Sequence, residues 1–258
     1  MKIDRDRVTE AFNNYVAKFD ESDEMIRLKK KHTVKVATNA DEIAGSIGLS
    51  SEEVDICWLI GMLHDIARFR QLKEYHTLYD AKSFNHAYVG CDILFKEGLI
   101  DSFVDYTVED SRTLSLVENA VRWHSEYRIP EDLDEEEKQY CNIIRDADKV
   151  DIFRVAIEEP VNNVYSVTRR ELLDSEITPE VLEAFYEHHA VKRELRKNML
   201  DIKVGFVSLS FELVYDKSKE LALSQGNLMN IIEDDYTNER TRQQVRDIQR
   251  ELEEYLKE

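Results

Sequence analysis

The chain is poor in the residues that turns require. Its 258 residues include only 7 glycines and 3 prolines, about a third of the number that average usage of ~12% would give. Sheet-rich folds need many turns, and tight turns depend on glycine and proline. Apolar residues instead recur at helical spacing along nearly the whole chain, and the first such run is Val8, Phe12, Tyr15 and Phe19. The sequence therefore predicts an all-α protein.

Helical periodicity also outlines the organisation of the chain. The stretch at residues 70–85 is less regular, and we expect it to form a loop over a site. Pro160 is the best candidate boundary, because a proline restricts the residue before it and commonly ends a helix. We predict a main domain with an N-terminal helix at residues 1–158, and a helical extension at residues 159–258 that packs on the same core. The later helices are expected around residues 86–97, 111–124, 136–157, 179–197, 202–222 and 237–258.

The charge balance disfavours some partners. Lys and Arg number 35 against 54 Asp and Glu, which gives a formal charge of −19, and such a field repels phosphate backbones. General nucleic-acid binding is therefore not expected, although a small phosphorylated substrate fits if metal ions or local basic residues reverse the field in one pocket. No window approaches the ~18 uninterrupted apolar residues of a membrane span, and the first residues lack the apolar core of a signal peptide. We expect a cytoplasmic protein without a membrane partner, and the sequence leaves a homo-oligomer open.

The cysteines do not predict a disulfide framework. Cys57, Cys91 and Cys141 form no close pair, and any pairing leaves one of them over. All three lie in apolar helical stretches, where free cysteines behave as small buried hydrophobic residues. We expect three buried free thiols.

Potential metal ligands lie on or beside the apolar sides of several predicted helices. His32 continues the apolar stripe of its helix, and Asp65 follows four residues after Gly61, where a missing side chain leaves room for close approach. An isolated buried charge is costly, so buried carboxylates should be paired or bound to metal. Several inward imidazoles and carboxylates with few basic neighbours therefore indicate a metal site. The candidate ligands are His32, His64, Asp65, His86, His124 and Asp148.

The order and context of these residues resemble a known pattern. His32, then LIGMLHDIARF with the adjacent His64 and Asp65, then a late aspartate in IIRDADKVD, resemble the HD superfamily of metal-dependent phosphohydrolases. The intervening NHAYVG, with His86, and VRWHSEY, with His124, resemble the longer form of the pattern, which holds two metals. The resemblance implies an HD-domain helical bundle, in agreement with the all-α fold that the composition predicts.

The resemblance also implies a role for each position. It assigns the first metal to His32, His64, Asp65 and Asp148. Asp65 would bridge to a second metal, which His86 and His124 complete. Asp146 competes with Asp148 for the ligand role, and the residues that follow position 148 match the family context better. Mixed imidazole and carboxylate ligands suit Mn, Fe, Co, Ni or Zn better than Mg, so we expect two divalent transition-metal ions as the cofactor.

The predicted function is that of a metal-dependent phosphohydrolase, either a phosphatase or a phosphodiesterase. Two cations ~3.5–4 Å apart can generate a metal-activated hydroxide and clamp the attacking and leaving oxygens, which suits a phosphoester bond of a small phosphorylated metabolite or nucleotide. The predicted catalytic residues are Asp65 and Arg68, which lie on the same helical face. Arg68 would either bind a substrate phosphate as a bidentate donor or form an ion pair that orients Asp65 or an acid nearby. Candidate substrate contacts in the less regular stretch are Lys73, Tyr75 and His76.

Two other classes of function stay open at the level of the sequence. Certain members of the HD superfamily use the same six-ligand arrangement as a di-iron centre that activates O₂ and cleaves a C–C or C–P bond. A non-catalytic nucleotide-binding or signalling module is the third alternative, and the complete ligand set argues against it, since degenerate modules often lose ligands. Histidine and aspartate ligands do not separate the hydrolase from the oxygenase, because both chemistries use them.

Overall fold

The computed structural model describes residues 1–158 and 168–257. Every regular element in these ranges is helical, and neither range contains a β-strand, so the all-α prediction is confirmed. Backbone contacts divide the chain into two compact units, Met1–Asp148 and Lys149–Glu258. The predicted boundary at Pro160 lies outside the described residues, and the packing of the extension on the main core stays a prediction.

The first unit contains the helices that carry the predicted ligands. Its core includes Val8, Phe12 and Tyr15 of the first apolar stripe, all of them buried. The helix after α5 continues for five residues, Asp92–Lys96, with the wider π-helical spacing. The α-helices that begin in this unit are α1 (Arg5–Val16), α2 (Glu24–Ser46), α3 (Ser51–Leu63), α4 (Ile66–Tyr75), α5 (His86–Cys91), α6 (Ser111–Trp123) and α7 (Glu135–Glu158).

Helices α2 and α3 pack extensively against each other. They approach closely at Gly61, where an added Cβ would lie 2.4 Å from Cα of Ala37. Any side chain there would overlap the backbone of α2, so the close approach that the sequence predicted at Gly61 is confirmed. This approach brings α2, which carries His32, against the end of α3, where His64 lies.

Helix α4 extends further than the sequence indicated. Residues 70–75 are helical, so the expectation of a loop from residue 70 was wrong for this part. The physical reason is that Leu72 is buried and continues the apolar side of the helix. The helix ends at Tyr75, and His76 adopts the left-handed conformation with φ 52°. The irregular part is residues 76–85, here called segment 76–85, which includes a single 3₁₀ turn at Asp80–Lys82.

Two predicted helices of the second unit are shorter than expected. The helix predicted at residues 179–197 ends at Tyr186, and His188 then turns the chain with φ 57°. The helix predicted at residues 202–222 is divided, because the hydroxyls of Ser208 and Ser210 donate to carbonyls three residues earlier and compete with a continuous helix.

The regular elements of the second unit are also all helical where it is described. Its helices are short except for the last one, which matches the amphipathic stretch predicted at residues 237–258. No helix in the described ranges is both long enough and apolar enough to cross a membrane. The α-helices that begin in this unit are α8 (Arg169–Leu173), α9 (Pro179–Tyr186), α10 (Met199–Val207), α11 (Asp216–Ser224), α12 (Asn227–Asn230) and α13 (Glu239–Tyr255).

The three cysteines are buried free thiols, as predicted. Cys57, Cys91 and Cys141 are each at most 1% exposed, and none forms a disulfide. Burial raises the pKa of the Cys91 and Cys141 thiols to about 12, because a thiolate is poorly solvated in an apolar interior. These thiols are therefore protonated at neutral pH.

Candidate metal centre

The six predicted ligands meet at one place in the first unit. His64 directly follows α3 and Asp65 directly precedes α4, so this adjacent pair lies at the junction of two helices. His124 directly follows α6, and His86 is the first residue of α5. Side chains at helix ends can converge on one point from several directions. The set, here called the six-residue cluster, consists of His32, His64, Asp65, His86, His124 and Asp148.

The carboxylate of Asp65 lies between two pairs of histidines. Its Oδ2 is 3.6 Å from Nε2 of His32 and 3.6 Å from Nε2 of His64, which form the first histidine pair. Its Oδ1 is 3.4 Å from Nε2 of His86 and 3.8 Å from Nε2 of His124, which form the second histidine pair. Each oxygen of one carboxylate thus faces a different pair, which is the arrangement that a bridging ligand needs.

Asp148 lies beside the first histidine pair. Its Oδ1 is 3.1 Å from Nε2 of His32 and 3.9 Å from Nε2 of His64. These three residues form one of the groups whose ligand atoms lie close enough to hold an ion. Asp146 is fully buried, but no such group among the described residues includes it. The geometry therefore favours Asp148 over Asp146.

The spacing of the ligand atoms fits metal ions. Around an octahedral ion with ligand bonds of ~2.1 Å, neighbouring ligand atoms lie ~3.0 Å apart and opposite ones ~4.2 Å apart. The distances from Asp65 and Asp148 to the histidine nitrogens, between 3.1 and 3.9 Å, fall within this range. The two Nε2 atoms of the second histidine pair, 3.1 Å apart, fall within it as well.

Hydrogen-bond partners fix which ring nitrogens carry hydrogen. Nδ1 of His64 lies 2.8 Å from the carbonyl oxygen of Gly61, and Nδ1 of His124 lies 2.7 Å from that of Val121. A carbonyl only accepts, so both Nδ1 atoms donate and both Nε2 atoms carry lone pairs. Nε2 of His64 is buried and has no hydrogen-bond donor among the described residues. A buried acceptor without a donor is costly, and a cation in the cluster removes that cost.

The electrostatics put the ligands in the protonation state that metal binding requires. Burial lowers the pKa of His86 and of His124 to about 4, so both rings are neutral at pH 7. Burial opposes ionisation of Asp65, but the Lys29 ammonium and the neighbouring His64 outweigh it and hold the pKa of that carboxyl well below its usual range. Neutral imidazoles and ionised carboxylates are the forms that coordinate metals.

Lys29 belongs to the site and was not identified from the sequence. Its Nζ lies 2.7 Å from Oδ2 of Asp65, and its side chain is 12% exposed. Lys29 comes three residues before His32 on α2, so the two side chains share one face of the helix. That spacing was the available signal, but three consecutive lysines at residues 29–31 resemble a solvated basic stretch.

Arg68 makes its closest contacts with Gln71 of its own helix and with segment 76–85. Its Nη1 donates to the side chain of Gln71, to the carbonyl oxygen of Leu78 and to Oδ1 of Asp80, each at 2.7 Å. Its Nε lies 3.4 Å from Oδ1 of Asp65. Of the two predicted roles for Arg68, these contacts favour the ion pair over a phosphate clamp, with Asp80 as the closest carboxylate and Asp65 beside it. Asp80 was also missed by sequence reasoning.

The other predicted substrate contacts do not join the cluster. Nζ of Lys73 lies 5.6 Å above the ring of Phe19, and Tyr75 packs edge-to-face against Phe84. His76 forms the left-handed turn at the end of α4. The roles of all three as substrate contacts stay predictions.

A comparison with protein families identifies the part of the chain that carries the cluster. Residues 30–152 match the family model of the HD domain. This segment is an HD domain. It contains all six cluster residues, and HD domains belong to a superfamily of metal-dependent, hydrolase-type proteins that bind divalent metals. Searches of the curated proteins and of the solved structures found no match.

Proposed function

We propose that this protein is a metal-dependent phosphohydrolase that cleaves a phosphoester bond of a small phosphorylated metabolite or nucleotide. The observation that carries the proposal is the position of Asp65, whose two carboxylate oxygens face two different histidine pairs. Two sets of ligands that share one carboxylate suit a binuclear centre, and binuclear centres are common in enzymes that transfer phosphoryl groups to water.

The six-residue cluster would hold two divalent transition-metal ions. His32, His64 and Asp148 would bind one ion, His86 and His124 the other, and Asp65 both. Bound cations at this place would neutralise phosphate charge and make a water molecule more acidic. Mn, Fe, Co, Ni or Zn suit this mixture of imidazole and carboxylate ligands.

Residues of the chain add positive charge next to the cluster. Lys29 reaches Oδ2 of Asp65 with its ammonium group, and we infer that it donates to a phosphate oxygen when substrate is present. Arg68 lies on the other oxygen of Asp65 and holds segment 76–85 through Asp80. In a chain with a formal charge of −19, these two cations offset part of the negative charge of the cluster carboxylates, and bound metal ions would supply the further positive charge that an anionic substrate needs.

The proposal is tested by metal analysis followed by activity assays. The protein is purified aerobically and anaerobically, its metal content is measured, and a panel of small phosphoesters is assayed with each metal. The expected result is close to two ions per chain and phosphate release that requires a metal. Oxygen uptake by the ferrous protein, without phosphate release from any ester, would instead support the di-iron oxygenase and contradict the proposal.

A further inference from the structure

The three histidines with assigned Nδ1 partners obtain them in two different ways. His64 and His124 each follow the end of a helix, and each donates to the carbonyl of the residue three positions earlier. The last carbonyls of a helix have no intrahelical partner, so this acceptor is always present. His86 is the first residue of α5, where no preceding turn of helix offers a carbonyl. Its acceptor must come from elsewhere in the chain.

Asp80 supplies that acceptor from segment 76–85. Its Oδ2 lies 2.6 Å from Nδ1 of His86 and also accepts from the backbone N–H of His86 at 3.4 Å. Its Oδ1 accepts from Nη1 of Arg68 at 2.7 Å and from Nε2 of Gln71 at 2.9 Å. Gln71 is fully buried and also donates to Ser83 of the same segment. The two oxygens of Asp80 therefore have separate partners, and the contacts of Oδ1 orient the carboxylate so that Oδ2 faces His86.

We propose that Asp80 is a positioning residue that fixes the tautomer and orientation of His86. This inference rests on the proposed metal centre. With its hydrogen on Nδ1, His86 directs the lone pair of Nε2 towards Oδ1 of Asp65 and Nε2 of His124. Nε2 of His124 carries a lone pair too, because its Nδ1 donates to a carbonyl. Two nitrogen lone pairs that face each other at 3.1 Å repel each other. A cation bound by both nitrogens would remove this repulsion.

The substitution Asp80→Asn tests this role directly. Arg68 and Gln71 both donate to Oδ1, so the amide oxygen of the asparagine should stay with them. The amide nitrogen then faces Nδ1 of His86 and donates to it. His86 must accept at Nδ1 and carry its hydrogen on Nε2. The atom that should coordinate the metal would then be protonated, with almost no change in side-chain volume.

The matched control is Asp55→Asn. Asp55 lies in the same unit, is 32% exposed compared with 26% for Asp80, and accepts from Nε of Arg5 at 2.7 Å. Its contact is to an arginine and not to a histidine. The Asp55→Asn variant therefore removes one arginine-paired carboxylate without affecting the cluster.

The experiment has two readouts, neither of which is activity. Long-range ¹H–¹⁵N NMR of the metal-free protein with ¹⁵N-labelled histidine reports which nitrogen of each ring carries hydrogen, and His86→Ala assigns the His86 signal. Zn²⁺ titration against a competing chelator gives the affinity for each ion. We expect the Nδ1–H tautomer at His86 in the wild type, the Nε2–H tautomer in Asp80→Asn, and an affinity for one of the two ions that is about 10- to 100-fold weaker in that variant. Asp55→Asn should match the wild type in both readouts.

Several outcomes would overturn the inference. If Nε2 of His86 carries the hydrogen in the wild type, the inference is wrong. This result needs no variant, so the test stays valid if Asp80→Asn fails to fold. An unchanged tautomer and unchanged Zn²⁺ affinity in folded Asp80→Asn also overturn the inference. If the wild type binds no Zn²⁺, Mn²⁺ or Fe²⁺, the proposed function fails and the metal-positioning role fails with it. If the wild type binds metal but Asp80→Asn changes neither the His86 tautomer nor the Zn²⁺ affinity, the role of Asp80 is wrong and the proposed function is unaffected.

Discussion

The contact between Gly61 and Ala37 allows a sharp test of how the cluster is assembled. In Gly61→Ala the new Cβ would lie 2.4 Å from Cα and 2.8 Å from N of Ala37. Ordinary contacts begin near 3.4 Å, so α2 and α3 must separate by about 1 Å at this point. The overlap is with backbone, and no side-chain rotation relieves it. His32 and His64 lie on these two helices, so the first histidine pair should widen.

The expected magnitude combines two opposing effects. Overpacking a close contact costs about 1–3 kcal/mol, and a clash with backbone belongs at the upper end of that range. Replacing glycine by alanine inside a helix stabilises it by about 1 kcal/mol. The free energy of unfolding should therefore fall by about 1–2 kcal/mol, which corresponds to a Tm lower by about 2–8 °C for a chain of this size. Affinity for the ion at the first histidine pair should fall as well.

Gly45→Ala provides the control for this prediction. Gly45 lies on α2, and an added Cβ there meets nothing within 4 Å. Its stability should rise by up to about 1 kcal/mol, with unchanged metal binding. Urea unfolding and Zn²⁺ titration of both variants give the comparison. If Gly61→Ala is as stable as Gly45→Ala and binds metal normally, the close approach of α2 and α3 does not hold the cluster together.

Three further predictions address the cluster and the core. Asp65→Ala should abolish turnover and weaken the binding of both ions while the circular dichroism spectrum stays helical, whereas His124→Ala should weaken the binding of one ion; an affinity for either ion that is unchanged in Asp65→Ala would show that Asp65 does not bridge. The native protein should show no thiol reactive to Ellman's reagent, since its three cysteines are buried and protonated, and three thiols in denaturant; rapid native labelling would contradict the described burial. Burial lowers the pKa of His86 and His124 to about 4, while histidines of an unfolded chain titrate near ~6.5, so between these values the unfolded state binds more protons. The free energy of unfolding of the metal-free protein should therefore decrease as the pH falls from about 6.5 towards 4, and urea unfolding at several pH values that gave a flat profile would refute this.

The ligands of the cluster could be predicted from the sequence because they lie at helix positions in a recognisable order. Asp80 and Lys29 could not be found in this way. Asp80 lies in segment 76–85, which has no periodicity, and only the hydrogen bond to His86 shows its role. A physical argument was nevertheless available, because a ligand histidine at the start of a helix lacks a carbonyl one turn earlier and needs an acceptor from the preceding loop.

The sequence was sufficient to predict the fold class but not the lengths of several helices. Apolar spacing continues past Tyr186, yet the chain turns at His188, whose ring stacks on Phe211 at 4.8 Å. That contact joins residues far apart in the sequence, so no local pattern contains it. The serines at residues 208 and 210 were a local signal for an interrupted helix, because serine hydroxyls compete for helix carbonyls. The prediction rested on apolar periodicity alone and did not use this signal.

The source of each Nδ1 acceptor decides how the site responds to mutation. For His64 and His124 the acceptor is a main-chain carbonyl, and most single amino-acid replacements leave a carbonyl in place. For His86 the acceptor is a side chain, which a single nucleotide change can remove. In a saturation mutagenesis screen scored for bound metal, position 121 should tolerate polar or apolar exchanges according to packing alone, and position 61 should be restricted only by its close contact with Ala37. Position 80 should accept almost nothing but aspartate, so the Nδ1 contact of His86 is the one that depends on the chemical identity of a side chain.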